Sequence, residues 1–155
     1  MWTEAFLEYL TLERNYSLRT VEEYRDDLNA FESYYKKVDS TLSWETMDGD
    51  VVRDWMVSMM EAGRTATTVN RRLSALRTFY RYLLRRDWIK VDPVRNIQGP
   101  KKKKPLPVFL KESEMNRLLD GDFFGNDFLG KRDKLIVNTF YVTGIRLSEL
   151  TSLNN

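Results

Sequence analysis

Residues 66 to 86 read ATTVNRRLSALRTFYRYLLRR, and this stretch carries most of the structural information in the first two-thirds of the chain. At the rotation of about 100° per residue of an α-helix, its apolar residues fall on one face and most of its arginines on the other. The apolar face consists of Val69, Leu73, Leu76, Phe79, Tyr80 and Leu83. The stretch therefore predicts an amphipathic helix whose aromatic side chains pack in a core and do not stack on bases.

The opposite face of this helix is basic, and no acidic residue occurs between Arg64 and Arg86. Such a face can lie against a phosphate backbone without neutralisation from within the helix. Its hydroxyl and amide groups can reach base edges or phosphate oxygens. The predicted DNA-binding residues on this helix are Thr67, Asn70, Arg71, Ser74, Arg77, Thr78, Arg81 and Arg85. The alternative is an ordinary solvated surface.

Three more helices are predicted upstream, because apolar residues recur there at steps of three and four. Thr20 and Glu23 have the spacing of a capping box at the start of the second helix. The predicted helices cover residues 2 to 14, residues 18 to 37, and a third stretch that begins near Val51 and stops at Gly63.

Positive charge is concentrated in one part of the chain. Residues 1 to 63 have a net charge of −8, residues 64 to 104 of +11, and residues 105 to 155 of −1. A basic segment on an otherwise acidic or neutral chain is typical of a protein that binds a polyanion.

Proline, glycine and lysine interrupt the helical pattern between residues 93 and 107. This composition predicts a linker between a first domain of residues 1 to 92 and a second of residues 108 to 155. The linker contains four adjacent lysines, predicted to contact DNA, although an inert solubilising spacer has the same composition. These lysines are Lys101, Lys102, Lys103 and Lys104.

The second domain is predicted to begin with an extended stretch at 108 to 110 and a short helix at 112 to 119. A further helix around residues 135 to 142 is apolar over much of its circumference and requires burial on several sides. About 50 residues cannot surround such a helix well. We therefore expect the chain to stop within its second domain.

The composition excludes several classes of site. The sequence has no cysteine and no histidine, which rules out disulfides and thiolate or imidazole metal ligands. We expect no metal site. The N-terminal residues have neither a basic leader nor an uninterrupted apolar stretch, so they predict neither a signal peptide nor a membrane span. A cytoplasmic protein fits this pattern best.

Four segments of the chain resemble the tyrosine recombinases, the family of Xer recombinases and phage integrases. Two of them resemble the SAM-like core-binding domain of that family, and two resemble the first part of its catalytic domain. The first pair is SLRTxxxYxxDLxxF at 17 to 31 and TVNRRLSALRTFYRYL at 68 to 83; the second pair is residues 106 to 119 and residues 132 to 150, which contain TGIRLSEL.

The resemblance implies a mainly α fold, with a SAM-like four-helix domain followed by the start of a mixed, mostly helical catalytic domain. It also implies an enzyme that cuts duplex DNA with a tyrosine and rejoins it through a 3′-phosphotyrosyl link. Such an enzyme needs no cofactor and no small-molecule substrate, and it self-associates on DNA.

By the same resemblance, Arg146 would contact the scissile phosphate and Glu149 would support the active site. A guanidinium suits this role because its fixed fork of donors stabilises negative charge on phosphoryl oxygens. Alternatively, Arg146 caps a helix after Gly144. The family's lysine, its histidine-x-x-arginine box and its tyrosine nucleophile follow the first arginine, and none of the eight tyrosines here does.

We therefore expect these residues to bind DNA without cutting it. Three classes of function remain open on the sequence. They are a part of a recombinase, a non-catalytic regulator that occupies recombination sites, and a helical domain that binds an acidic protein.

Overall fold

Seven α-helices and no strand make up the regular structure of residues 2 to 102 and 106 to 153, which a computed structural model describes. The predicted mainly α fold is confirmed. The chain divides into two compact units, Met1–Lys104 and Pro105–Asn155. The first contains α1 (Trp2–Leu12), α2 (Leu18–Val38), α3 (Gly49–Glu61) and α4 (Ala66–Arg85), and the second contains α5 (Glu112–Asp120), α6 (Phe128–Thr143) and α7 (Leu147–Thr151).

The central helix of the first unit is α4, which packs against α1, α2 and α3. All six apolar residues predicted for its inner face have no exposed surface, so this part of the core is confirmed. Tyr82 is buried as well, and its hydroxyl donates a hydrogen bond to the carbonyl oxygen of Ala5 at 3.3 Å. The helix therefore uses a wider apolar face than the six predicted positions.

Aromatic rings fill the centre of this bundle. The ring of Phe79 meets those of Phe6 and Trp44 at centroid distances of 5.2 and 4.8 Å, both edge to face. Trp44 lies in the connection between α2 and α3, so that polar-looking segment contributes to the core. Phe79→Ala would remove the shared ring at a cost of about 3 to 5 kcal/mol.

The ends of the helices follow local chemistry that the sequence predicts only in part. Ser17, not Thr20, caps α2, because its side-chain oxygen accepts a hydrogen bond from the Thr20 N–H at 3.3 Å. The predicted capping box of Thr20 and Glu23 is therefore wrong. Gly63 does end α3: it has a φ of 77°, and the N–H groups of Gly63 and Arg64 close the last turn.

The first unit continues past the predicted domain end at residue 92. Val94 is fully buried and Ile97 is 3% exposed, and both belong to the same core as α4. They are the apolar residues in an otherwise polar and proline-rich stretch, which resembles a linker in composition. Part of the segment predicted as a linker is thus a packed element of the first unit.

The second unit has little core. Among the described residues, Met115 in α5 is its only buried side chain, and no residue of α6 is buried. Leu135 and Val142 of α6 are 64% and 72% exposed. The described residues of this unit therefore leave α6 largely exposed, which agrees with the expectation that about 50 residues cannot surround it. No helix in the described part of the chain is long and apolar enough to span a membrane.

Candidate nucleic-acid interface

The predicted DNA-binding residues of α4 divide into two groups. Four of them are exposed and form no ion pair within the described part of the chain, and Thr78, which is partly buried, lies on the same side. Ser74 and Thr78 donate their hydroxyl protons to backbone oxygens one turn earlier, each at 2.9 Å. Their oxygens therefore remain available as acceptors. The four exposed residues are Thr67, Ser74, Arg81 and Arg85.

Arg71 is tied to the interior of the unit. Its guanidinium donates two hydrogen bonds to the Asp27 carboxylate, at 2.7 and 2.9 Å, and Glu23 lies 3.8 Å away. The Asp27 side chain is 3% exposed, and the Arg72 Nε lies 3.5 Å from it. Burial raises the pKa of the Asp27 carboxyl, while Arg71 and Arg72 act in the opposite direction.

The expectation of an arginine face without internal neutralisation is therefore wrong at Arg71. The helix contains no acid, but α2 supplies one to it across the interface. The partners lie 44 residues apart in the chain, so the spacing within α4 contains no sign of this ion pair.

Asn70 and Arg77 hold the chain that follows α4. The Asn70 side-chain amide donates a hydrogen bond to the Pro100 carbonyl oxygen at 2.8 Å, and the Arg77 guanidinium donates one to the carbonyl oxygen of Ile97. A Cβ at Gly99 would overlap the Asn70 side-chain oxygen, so glycine is needed for this close approach. Both predicted DNA contacts therefore have a structural role in the free protein.

Guanidinium groups without a carboxylate partner gather on one side of the first unit. Of its arginines, six form ion pairs with acids. Among residues 2 to 102, five of the other six line two neighbouring cavities of about 450 and 650 Å³, which share Arg81 and Leu84. The first contains Arg14, Arg81 and Arg85, and the second contains Arg77, Arg81, Lys90 and Arg95.

Three of these cations were not predicted from the sequence. Arg14 follows α1 in the part of the chain with a net charge of −8, so the charge distribution directs attention away from it. Lys90 and Arg95 belong to the basic segment but lie beyond the end of α4, outside the helical pattern. Only the fold brings all three beside Arg81.

The lysines predicted to contact DNA are partly described. Lys101 and Lys102 are exposed, whereas Lys103 and Lys104 lie outside the described residues. The contact of this run with DNA stays a prediction.

In the second unit, Arg146 and Glu149 lie side by side. The Arg146 backbone N–H and guanidinium each donate a hydrogen bond to the Glu149 carboxylate, at 2.8 and 2.9 Å. The backbone N–H and then the guanidinium of Arg146 hold the pKa of the Glu149 carboxyl below its ordinary value. Arg146 immediately precedes α7, and its side chain is 81% exposed. This geometry fits both interpretations of Arg146, a helix start and a phosphate ligand.

Comparison with known proteins decides the family. Residues 3–87, which include nearly all of α1 and the whole of α2 to α4, match the family described as the phage integrase N-terminal SAM-like domain. This chain belongs to the tyrosine recombinases. The chain is 33% identical to the tyrosine recombinase XerD of Oceanobacillus iheyensis over 97% of its own length and 50% of the relative. It is 36% identical to the XerC of Halalkalibacterium halodurans, over 98% of this chain and 50% of that protein.

The match with these tyrosine recombinases extends through both units. The XerC of Pseudomonas savastanoi is also similar, with 36% identity over 97% of this chain. The chain spans about half the length of the curated relatives that it matches. The resemblance found in the sequence is therefore confirmed at the level of the family.

Proposed function

We propose that the first unit binds duplex DNA through the side of α4 that carries Arg81 and Arg85. The observation that supports this most directly is the grouping of the guanidiniums that lack acidic partners, because five of the six line two adjoining cavities. An arginine without an acidic partner keeps its full charge for a phosphate. Serine and threonine hydroxyls on the same face add uncharged contacts.

The paired arginines support the same choice of surface. Acids of α1, α2 and α3, and of the turn after α1, neutralise other arginines of the unit, as Glu4 neutralises Arg25 and Glu13 neutralises Arg86. Positive charge without an acidic partner therefore gathers around Arg81, where it attracts a polyanion. A helical domain that binds an acidic protein would use the same charges, but the family match favours DNA.

We further propose that the second unit is the first part of a catalytic domain in a DNA strand-exchange enzyme. Its relatives are recombinases about twice as long as this chain. In this proposal Arg146 binds the scissile phosphate, and Glu149 orients the Arg146 side chain. The nucleophile lies outside residues 1 to 155. The whole protein would act in the cytoplasm, without a cofactor, as an assembly of several copies on DNA.

Binding to a duplex at several salt concentrations tests the first proposal. Arg81→Gln should weaken binding to all sequences, and the slope of log K against log salt should fall by about 0.9 for each phosphate that the variant no longer neutralises. Arg53→Gln is the matched control, because it makes the same charge change on α3. If both variants bind like the wild-type chain, the interface lies elsewhere.

Cleavage of a nicked suicide substrate by the full-length enzyme tests the role of Arg146. Arg146→Lys keeps the charge but loses the planar fork, so cleavage should fall on the order of a hundredfold to a thousandfold while DNA binding stays the same. Near-normal cleavage would leave Arg146 as a helix cap. A full-length wild-type protein that binds DNA without cleaving it would instead be a regulator.

A further inference from the structure

The cavity between α1 and α4 has the lining of an anion site. Its volume is about 450 Å³, and no acidic residue lines it. Three guanidiniums reach it from two different parts of the chain, since Arg14 follows α1 while Arg81 and Arg85 belong to α4. Its hydroxyl groups come from Tyr9, Tyr16 and Thr78.

The turn after α1 fixes the position of Arg14. The backbone N–H of Arg14 donates a hydrogen bond to the carbonyl oxygen of Tyr9 at 3.1 Å, and that of Tyr16 donates one to the carbonyl oxygen of Leu10 at 3.0 Å. Asn15 between them has a φ of 52°, a conformation that asparagine tolerates better than most residues. The turn therefore folds back over the last turn of α1 and places Arg14 and Tyr16 beside α4.

Arg85 is held on the opposite wall. Its guanidinium donates a hydrogen bond to the Tyr9 hydroxyl at 3.0 Å and lies 5.5 Å from the centre of the Tyr9 ring. A guanidinium held by an aromatic ring keeps its charge, unlike one paired with a carboxylate. Within residues 2 to 102, Arg14 and Arg81 form no ion pair, so the cavity retains the charge of three cations.

We propose that this cavity is a phosphate-binding site, formed jointly by Arg14, Arg81 and Arg85. Guanidinium forks match the oxygens of a phosphate, and the hydroxyls of Tyr9 and Tyr16 supply further donors. The cavity is several times larger than a phosphate ion, so it admits a phosphate that carries a sugar on either side. On the proposed function, on which this inference rests, the ligand is a backbone phosphate of duplex DNA, and the interface extends from α4 to the end of α1.

The experiment uses the variant Arg14→Gln, because Arg14 lies outside the helix on which the proposed function depends. We expect duplex affinity to fall about tenfold, as for the loss of one charged hydrogen bond, and the salt slope to fall by about 0.9. Arg53→Gln should change neither quantity. Thermal melting should be the same for all three proteins, because both arginines are exposed.

A second titration separates the two possible sources of the phosphate. NMR signals of the arginine Nε–H groups are followed while the wild-type chain is titrated with inorganic phosphate and, separately, with a short duplex. Shifts of Arg14, Arg81 and Arg85 together in either titration support the site, and a response to inorganic phosphate alone identifies free phosphate as its ligand.

The outcomes also distinguish this inference from the proposed function. If Arg81→Gln loses duplex binding while Arg14→Gln binds normally and the Arg14 signal of the wild-type chain does not move, the phosphate site is wrong and duplex binding by α4 stands. If the wild-type chain binds no duplex but inorganic phosphate moves all three signals, the proposed function fails and the site remains. No response in either titration overturns both.

Discussion

At the scale of single residues, the pair of Asp27 and Arg71 shows how one arginine can stabilise the fold although it belongs to the predicted DNA-binding face. A carboxylate that is 3% exposed is costly unless a charged donor satisfies it. Arg71 does so with two short hydrogen bonds, while half of its side chain remains at the surface. A phosphate that contacts Arg71 must therefore share its guanidinium with the Asp27 carboxylate.

Arg71→Glu should destabilise the first unit, because it places a third acid beside Glu23 and the buried Asp27. Breaking a buried ion pair costs about 3 to 5 kcal/mol, and the partial exposure of Arg71 reduces this to about 2 kcal/mol. Chemical denaturation measures the loss of stability. The control is Arg81→Glu, which should leave stability unchanged because Arg81 forms no ion pair among the described residues. Equal unfolding midpoints for the two variants would contradict this account.

The stability of the start of α7 should depend on pH through the Glu149 carboxyl. Its pKa is held below the ordinary value in the folded chain, so the ionised form contributes stability above the unfolded pKa, and this stability is lost as pH falls through the folded pKa. NMR of the Glu149 side chain should show that its carboxyl titrates below the ordinary range of a glutamate. Arg146→Ala should raise this pKa only in part, because the backbone N–H remains. A titration of Glu149 in the ordinary range of a glutamate would contradict both hydrogen bonds from Arg146.

At the scale of elements, helical periodicity predicts the four helices of the first unit and the inner face of α4. It does so because burial of one face repeats every three to four residues. It does not predict where polar side chains bond, because Asp27, Pro100 and Ile97 reach α4 from other parts of the chain. For the same reason, a prediction based on one helix does not include Arg14 and Arg95.

Gly99→Ala tests whether the segment after α4 is held by that helix. The new methyl group would overlap the Asn70 side chain, so the Asn70 bond to Pro100 should break and residues 94 to 100 should exchange amide hydrogens faster. Hydrogen exchange with mass spectrometry measures this change. Gln98→Ala, at an exposed neighbouring position, is the control. Unchanged exchange in Gly99→Ala would show that the segment does not depend on this contact.

At the scale of the whole molecule, the order of two units and the family could be predicted from four short motifs. The extent of the first unit could not, because burial of Val94 and Ile97 depends on a surface formed by several helices. The two units also differ in their cores. The first buries aromatic rings from all four of its helices, whereas α6 buries none of its described residues.

Limited trypsin digestion of the free chain should therefore cut first after Lys101 or Lys102, and not after Arg95. Arg95 is exposed, but its neighbours Val94 and Ile97 are buried in the core. A protease needs several residues on either side of the cut in an extended, accessible conformation. Cleavage there requires local unfolding, which costs free energy before the protease can act. The first stable product should contain about 100 residues, whereas the linker predicted from composition gives a product of about 95 residues. Mass spectrometry of early time points distinguishes the two.

Gly99→Ala should make cleavage at Arg95 earlier, and added duplex should slow cleavage at Lys101 and Lys102. A first cut at Arg95 in the wild-type chain, or within α4, would contradict the packing of residues 94 to 100 on the first unit.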